Sequence, residues 1–198
     1  GPMGEDGTGQ GGREAAGIPY GGAGVAGSAA GMDKDVMKRL ARDAGIDMTP
    51  FLVVGWRHWS TGRDATCENV KSWSEKQGFP VYVKPAGMGS SVGISRVDGP
   101  EGVAAALDGA FFHDTKIVVE KGVVDPREIE CAVLGGLDPD AAPALGEVLT
   151  RAGSFYTWDA KYADPGAAST VVPADLDPKV AARVRSLAVR AFRVLECW

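Results

Sequence analysis

The segment 81–93, Val-Tyr-Val-Lys-Pro-Ala-Gly-Met-Gly-Ser-Ser-Val-Gly, constrains this chain more than any other. Alternation over its first residues predicts a short strand ending on Lys84. A loop follows with Gly87, Gly89 and Gly93 and the hydroxyls of Ser90 and Ser91, and a strand resumes over 92–97. Glycines let a backbone approach phosphate oxygens and aim its N–H groups at them. A strand end is a stiff mount for a phosphate-binding lysine. The spacing is not a Walker A loop, because no Gly-Lys-Ser/Thr opens a helix, and it is not a Rossmann fingerprint. It reads as strand, glycine loop, strand: a flap of the kind that closes over a nucleotide triphosphate. The plain alternative is a glycine-rich hairpin with no ligand.

At 198 residues the chain can hold one good core or most of two small domains. Its net charge of -5 and the lack of a basic run interleaved with aromatics argue against nucleic acid. No apolar run is long enough to span a membrane and no signal peptide is visible, so a cytoplasmic setting is expected. Cys67, Cys131 and Cys197 are scattered and odd in number, which fits a reduced compartment and small buried thiols. His58 and His113 lie far apart without metal-ligand spacing and read as surface or loop histidines. The opening Gly-Pro-Met has the form of a protease-tag scar, but the run behind it makes the start read as native.

Many of the 28 glycines sit in loops, but Gly9, Gly11, Gly12, Gly27 and Gly31 crowd the first segments, where turns are expected at Gly4–Gly7 and over 18–22. A helix is predicted from an N-cap at Asp33 to a stop at Gly45, and a strand over 49–54. Residues 55–67 show no period and read as loop, followed by a helix over 68–77 capped by Gly78. Pro100 opens a helix that aligns Val103, Leu107, Ala110 and Phe111 on one face. Strands are expected over 116–120, 127–134 and 144–150, and a long ordered loop over 151–170. Asp177 caps and Pro178 begins a last helix, with Val180, Val184, Leu187, Ala188, Ala191 and Leu195 as its core face. Arg183, Arg185, Arg190 and Arg193 read as its solvated face. The antiparallel flap argues for an α+β or mixed architecture rather than a plain doubly wound sheet.

Several pieces occur in a specific order: Gly4-Glu5-Asp6-Gly7-Thr8, Ala16-Gly17-Ile18-Pro19-Tyr20 and Met32-Asp33-Lys34; the flap from Val83-Lys84-Pro85 to Ser90-Ser91-Val92-Gly93; and Val119-Glu120-Lys121, Arg127-Glu128-Ile129-Glu130-Cys131, Phe155-Tyr156 and Ala160-Lys161-Tyr162. In this set, from the first residue to about residue 196, the chain resembles the D-alanine–D-alanine ligases of the ATP-grasp superfamily. The resemblance implies a truncated ATP-grasp fold. Residues 1–32 would be the remainder of the N-terminal domain. Residues 33–135 would be the central ATP-grasp subdomain, and 136–198 the start of the C-terminal subdomain with its lid loop. It also implies an ATP-dependent reaction of bacterial peptidoglycan synthesis, in which one D-alanine is phosphorylated on its carboxylate and the amine of a second attacks the acyl phosphate. Carboxylate and triphosphate repel, so cations and Mg²⁺ or Mn²⁺ must neutralise both. An acyl phosphate hydrolyses in water, so a lid must close.

By their place in the family's motifs, Lys34 and Lys84 would contact the ATP phosphates beside Ser90 and Ser91. The plain alternative for Lys34 is a surface helix lysine. Glu120, Lys121 and Val123 would hold adenine, with Glu120 accepting from its amine and the backbone at Lys121 and Val123 pairing with its ring edge. Glu128 would hold the ribose hydroxyls; otherwise it is a strand carboxylate in a surface ion pair. Ser90 and Tyr162 would form a hydrogen-bonded pair that positions substrate and closes the lid, and Lys161 would meet the γ-phosphate. The tyrosine at 162 is the type found in relatives that form the dipeptide rather than D-alanyl-D-lactate.

The resemblance implies further parts outside these residues. The family's metal-holding Asp, Glu and Asn, its oxyanion arginine and its second-substrate segment would follow Trp198, and no Asp/Glu cluster here replaces the metal set. The expectation is therefore that this chain alone folds poorly or associates and is inactive, and that the full-length form is a homodimer. The five glycines at 9, 11, 12, 27 and 31 fall partly where the family has helical apolar residues, at roughly 1 kcal/mol each against alanine. Three readings stand: a portion of a working D-Ala–D-Ala ligase, a non-enzymatic remnant that at most binds nucleotide or a partner, and an ATP-grasp carboxylate–amine ligase with another substrate.

Overall fold

The computed structural model describes residues 2–150 and 168–198. The chain opens with α1 (Thr8–Ala15), α2 (Val25–Met32) and α3 (Lys34–Asp43), so the glycine-rich start is largely helical. Asp33 caps α3, its carboxylate accepting from the N–H groups of Asp35 and Val36 at 3.0 and 3.1 Å. Gly45 turns the chain away in the left-handed region (φ 69°).

The centre is an antiparallel sheet in the order β1 (Phe51–Gly55), β4 (Lys116–Lys121), β2 (Val81–Pro85), β3 (Ser95–Val97). Between its strands lie α4 (Trp56–Thr61), α5 (Arg63–Gln77), a 3₁₀ turn (Pro100–Gly102) and α6 (Val103–Phe111). Alternation along β2 buries Val81, Val83 and Pro85 and leaves Tyr82 and Lys84 on the opposite face. Val81, Val83, Ile117 and Val119 join Val70 of α5 and Val103 and Leu107 of α6 in a fully buried core. The face expected for the helix after Pro100 is that core face. The α+β architecture is borne out. The flap is antiparallel, with Val81 opposite Val97 and Val83 opposite Ser95, and its second strand starts at 95 rather than 92.

A second sheet runs β5 (Glu128–Glu130), β8 (Gly146–Thr150), β9 (Ala168–Val171), beside a small hairpin of β6 (Val133–Leu134) and β7 (Asp140–Ala141). The last helix, α7 (Pro178–Val194), is capped by Asp177, which accepts from the Lys179 N–H at 2.8 Å.

Four expectations are corrected. Residues 55–67 are not loop: α4 and the start of α5 occupy them, because Trp59 stacks on Phe111 (5.3 Å between ring centres) and Trp56 meets the same ring edge-on. The single strand over 127–134 is two strands in different sheets. Residues 168–170 belong to β9 rather than to a loop; the rest of that loop lies outside the described residues. The apolar stripe of α7 is only half-covered, with Val180 47% exposed and no residue of the helix buried. Its arginines are exposed, as expected, but dock the helix: Arg183 meets Asp47, Arg185 the Pro143 carbonyl, Arg190 the Ala44 carbonyl and Arg193 Asp138. His58 and His113 are exposed. Cys67 is buried, whereas Cys131 and Cys197 are half-buried, and all three are free thiols. No helix among the described residues is long and apolar enough to cross a membrane.

Candidate nucleotide site

Two-residue periodicity carries the site onto one face of the first sheet. Tyr82 of β2 stands directly opposite Glu120 of β4, and Lys84 lies two residues along on the same face. Glu120 is 9% exposed and holds a cation on each oxygen: Lys84 on Oε1 and Lys38 of α3 on Oε2 at 2.6 Å. Burial alone would raise the Glu120 carboxyl, but Lys84 and Lys38 beside it outweigh burial and hold it below the usual glutamate range.

Lys34, the first residue of α3, reaches into the flap loop. Its Nζ donates to the Met88 carbonyl at 2.5 Å and, more weakly, to the Ala86 carbonyl at 3.5 Å. Burial lowers its ammonium from the ordinary lysine value, and nearby Lys84 adds to the effect. Two cations forced together over a glycine loop are an arrangement that an anion would relieve. The loop itself is anchored at Gly87, whose N–H donates to Asp114 Oδ2 at 2.6 Å. Ser90 and Ser91 both sit in the left-handed region (φ 53° and 60°), a costly conformation for non-glycine residues that recurs at ligand clamps. Gly93 (φ 69°) has no room for a side chain: a Cβ would stand 2.6 Å from the His113 ring and 2.8 Å from Pro85.

Beside this face, between the two sheets, lies a cleft of about 520 Å³. Tyr82 and Arg96 from the first sheet, Val123 from the connection after β4, and Glu128 and Glu147 from the second sheet line it. It is large enough for a nucleoside. Lys121 is exposed at the end of β4, and its N–H donates to the Pro50 carbonyl at 3.0 Å. The structure thus brings Lys34, Lys84 and Glu120 together at one end and Val123 and Glu128 together in the cleft. Lys161 and Tyr162 lie outside the described residues.

Residues not singled out from sequence also build the site. Lys38 is the second cation on Glu120, and its one available signal was its position one helical turn after Lys34. Arg127 and Glu147 form a bidentate pair (2.7 and 2.6 Å) across the edge of the cleft. The Arg127 hydrogen bonds hold the Glu147 carboxyl below its usual range. Lys116 bridges Asp33 and Asp35 at 2.6 and 3.2 Å, tying the start of α3 to β4. Among the described residues no group of three or more His, Cys, Asp or Glu could hold a metal ion. The described residues thus offer a divalent cation no such ligand set.

The family model described as D-ala D-ala ligase C-terminus matches residues 40–198. The D-alanine–D-alanine ligase of Paenarthrobacter aurescens is 49% identical over 196 residues, 97% of this chain and 50% of that protein. D-alanine–D-alanine ligase A of Escherichia coli K12 is 45% identical, over 100% of this chain and 52% of that protein. Among solved structures, the VanG D-Ala:D-Ser ligase of Enterococcus faecalis superposes with a TM-score of 0.80 at 31% identity, over 98% of this chain and 53% of that one. The D-alanine–D-alanine ligase of Coxiella burnetii gives 0.77 at 27% identity, over 100% and 50%. The chain spans about half the length of the curated relatives it matches. With its ordered motifs, its antiparallel flap and a family match over most of its length, the chain belongs to the D-alanine–D-alanine ligase family, on an ATP-grasp fold.

Proposed function

We propose that these residues serve an ATP-dependent ligase that joins two D-alanines through an acyl phosphate for peptidoglycan synthesis. The observation that carries the reading is the convergence of Lys34 and Lys84 at the glycine loop, next to a cleft lined by Tyr82, Val123 and Glu128. The lysines would take the triphosphate, with Ser90 and Ser91 at its edge. Glu120 would accept from the adenine amine, the backbone at Lys121 and Val123 would pair with the ring edge, and Glu128 would hold the ribose. Ser90 with Tyr162 would position substrate under a closing lid, and Lys161 would meet the γ-phosphate. In this reading 33–135 is the central ATP-grasp subdomain and 136–198 belongs to the C-terminal one. The enzyme is cytoplasmic, uses Mg²⁺ or Mn²⁺ and works as a homodimer.

Lys84 is held by Glu120 in the structure, so ATP must draw it off that carboxylate. The test is ATP affinity and D-alanine-dependent ADP release by the protein as made in its own cell, with and without Lys84→Ala. Loss of ATP binding in the variant supports the phosphate role, and unchanged affinity overturns it. ATP binding without amino-acid-dependent ADP release would favour the non-enzymatic reading. Because a D-Ala:D-Ser ligase is among the structural neighbours, D-serine is run beside D-alanine as acceptor. Faster turnover with D-serine would overturn the choice of second substrate alone.

A further inference from the structure

Lys38 belongs to none of the motifs that suggest a nucleotide, yet it is the more enclosed of the two cations on Glu120. Its side chain is 7% exposed, against 19% for Lys84. Its Nζ sits 2.6 Å from Glu120 Oε2 and 3.3 Å from the Thr49 hydroxyl, so it is fixed from two sides. The two lysines divide the carboxylate, one oxygen each. A triphosphate that draws Lys84 away strips Oε1 of its partner and leaves Oε2 where it was.

We propose that Lys38 is a positioning residue for the purine base: it pins Glu120 by Oε2, keeps it ionised after Lys84 has left, and so presents Oε1 as a pure acceptor that selects a 6-amino over a 6-oxo purine. The inference rests on the reading of Glu120 as the adenine acceptor. A carboxylate accepts from an exocyclic amine but repels a carbonyl oxygen, whereas a neutral carboxyl can donate to that carbonyl. A site built for one hydrogen-bonding group discriminates strongly against its inverse. The charged and titratable groups facing Glu120 are Lys84 and Tyr82 from β2 and Lys38 and Lys34 from α3. The partner across β1 is Phe51, which brings no charge. Once Lys84 is on phosphate, Lys38 is the cation in direct contact with the carboxylate. Without it, the 9% exposed Glu120 would take up a proton well above the ordinary glutamate range.

The experiment compares ATP and inosine triphosphate affinity in the whole protein between about pH 5 and 8, for wild type, Lys38→Met and Lys38→Arg. The wild-type ATP preference is expected to stay flat across the range. In Lys38→Met it should fall by at least about tenfold, most at the acid end, with inosine triphosphate gaining affinity; Lys38→Arg should restore it. A merely structural lysine would weaken both nucleotides alike and leave the ratio unmoved, and that result overturns the proposal. If Lys38→Met does not fold, the wild-type profile decides: a flat ratio supports the role, and a ratio that collapses with acid overturns it. Wild-type protein that binds no ATP would overturn the nucleotide reading and this inference with it. ATP binding with an unmoved ratio overturns the Lys38 role alone.

Discussion

The two sheets of this protein are held by different means. The first, with α5 and α6, is closed by apolar burial: Val70, Val81, Val83, Val103, Leu107, Ile117 and Val119 are each 0% exposed. Among the described residues the second, with α7, buries Leu145 and Val148 as its apolar side chains, and is tied down by polar straps. Arg127 clasps Glu147, and four arginines of α7 reach loops on both sides. Apolar burial is worth about 25 cal/mol per Å², while an exposed ion pair contributes about 0–1 kcal/mol. The lysines proposed for phosphate therefore stand on the stiff half of the molecule, and Glu128, proposed for ribose, stands on the soft half. A nucleotide lying across the cleft would lend the second sheet order that its own core does not supply.

The sharpest way to break this contrast is a pair of leucines. Leu107→Ala, in the first core, should cost about 2–5 kcal/mol in chemical denaturation. Leu187→Ala, on the half-covered face of α7, should cost clearly less, and equal costs would refute the division. Next comes Gly27→Ala. A Cβ there would stand 2.3 Å from the Glu196 carbonyl and 2.8 Å from that of Leu195, so α7 must back away from α2, at about 1–3 kcal/mol. Thermal melting would show it, whereas Gly31→Ala, with open space around it, should be neutral or mildly stabilising. Arg190→Ala removes a single exposed bond to the Ala44 carbonyl and should cost about 0.5–1.5 kcal/mol.

The smallest expected effect concerns acid. The folded Glu147 carboxyl is depressed below its reference of 4.5, chiefly by its hydrogen bonds to Arg127. The stability this contributes is present above the reference value and is lost as pH falls through the depressed one. The gap between wild type and Arg127→Met should therefore be open at neutral pH and close below about pH 4.5, as measured by denaturant titration at each pH. A gap that persists in strong acid would mean that Arg127 acts through packing or through its 2.8 Å bond to the Asp175 carbonyl instead.

Most of the stiff half was legible in the sequence because its signals are local. Alternation marked β2, a short apolar run of the fully buried kind marked β4, an aspartate the start of α3, and Pro100 the start of the helical run. What escaped depends on contacts distant in sequence. The six residues of α4 are too few to show a period; they are helical because Trp59 finds Phe111 across the core, with Arg63 over the same indole at 4.9 Å from its centre. The split between β5 and β6 falls at Cys131 and Ala132, where no turn residue marks it. The same holds for the site. Lys84 and Glu120 were readable from their motifs, but that Lys84 shares the Glu120 carboxylate with Lys38 follows only from the packing of α3 over the sheet. The glycines of the first segments also divide by position: Gly27 is required by a close approach, while Gly12 and Gly31 face open space.

That close approach has a consequence for how the chain is made. Gly27 meets the carbonyls of Leu195 and Glu196, synthesised 168 and 169 positions later, and the Gly24 N–H reaches as far as the Trp198 carbonyl at 3.3 Å. While the polypeptide is still emerging from the ribosome, α2 has α1 and α3 beside it but its Gly27 face has no cover, whereas the first sheet can close as soon as β4 has cleared the exit tunnel. Contacts of such sequence separation form late and leave their surfaces uncovered in the meantime. The Gly27 face of α2 is thus translated long before the segment that closes over it, and is among the last surfaces of this chain to be covered.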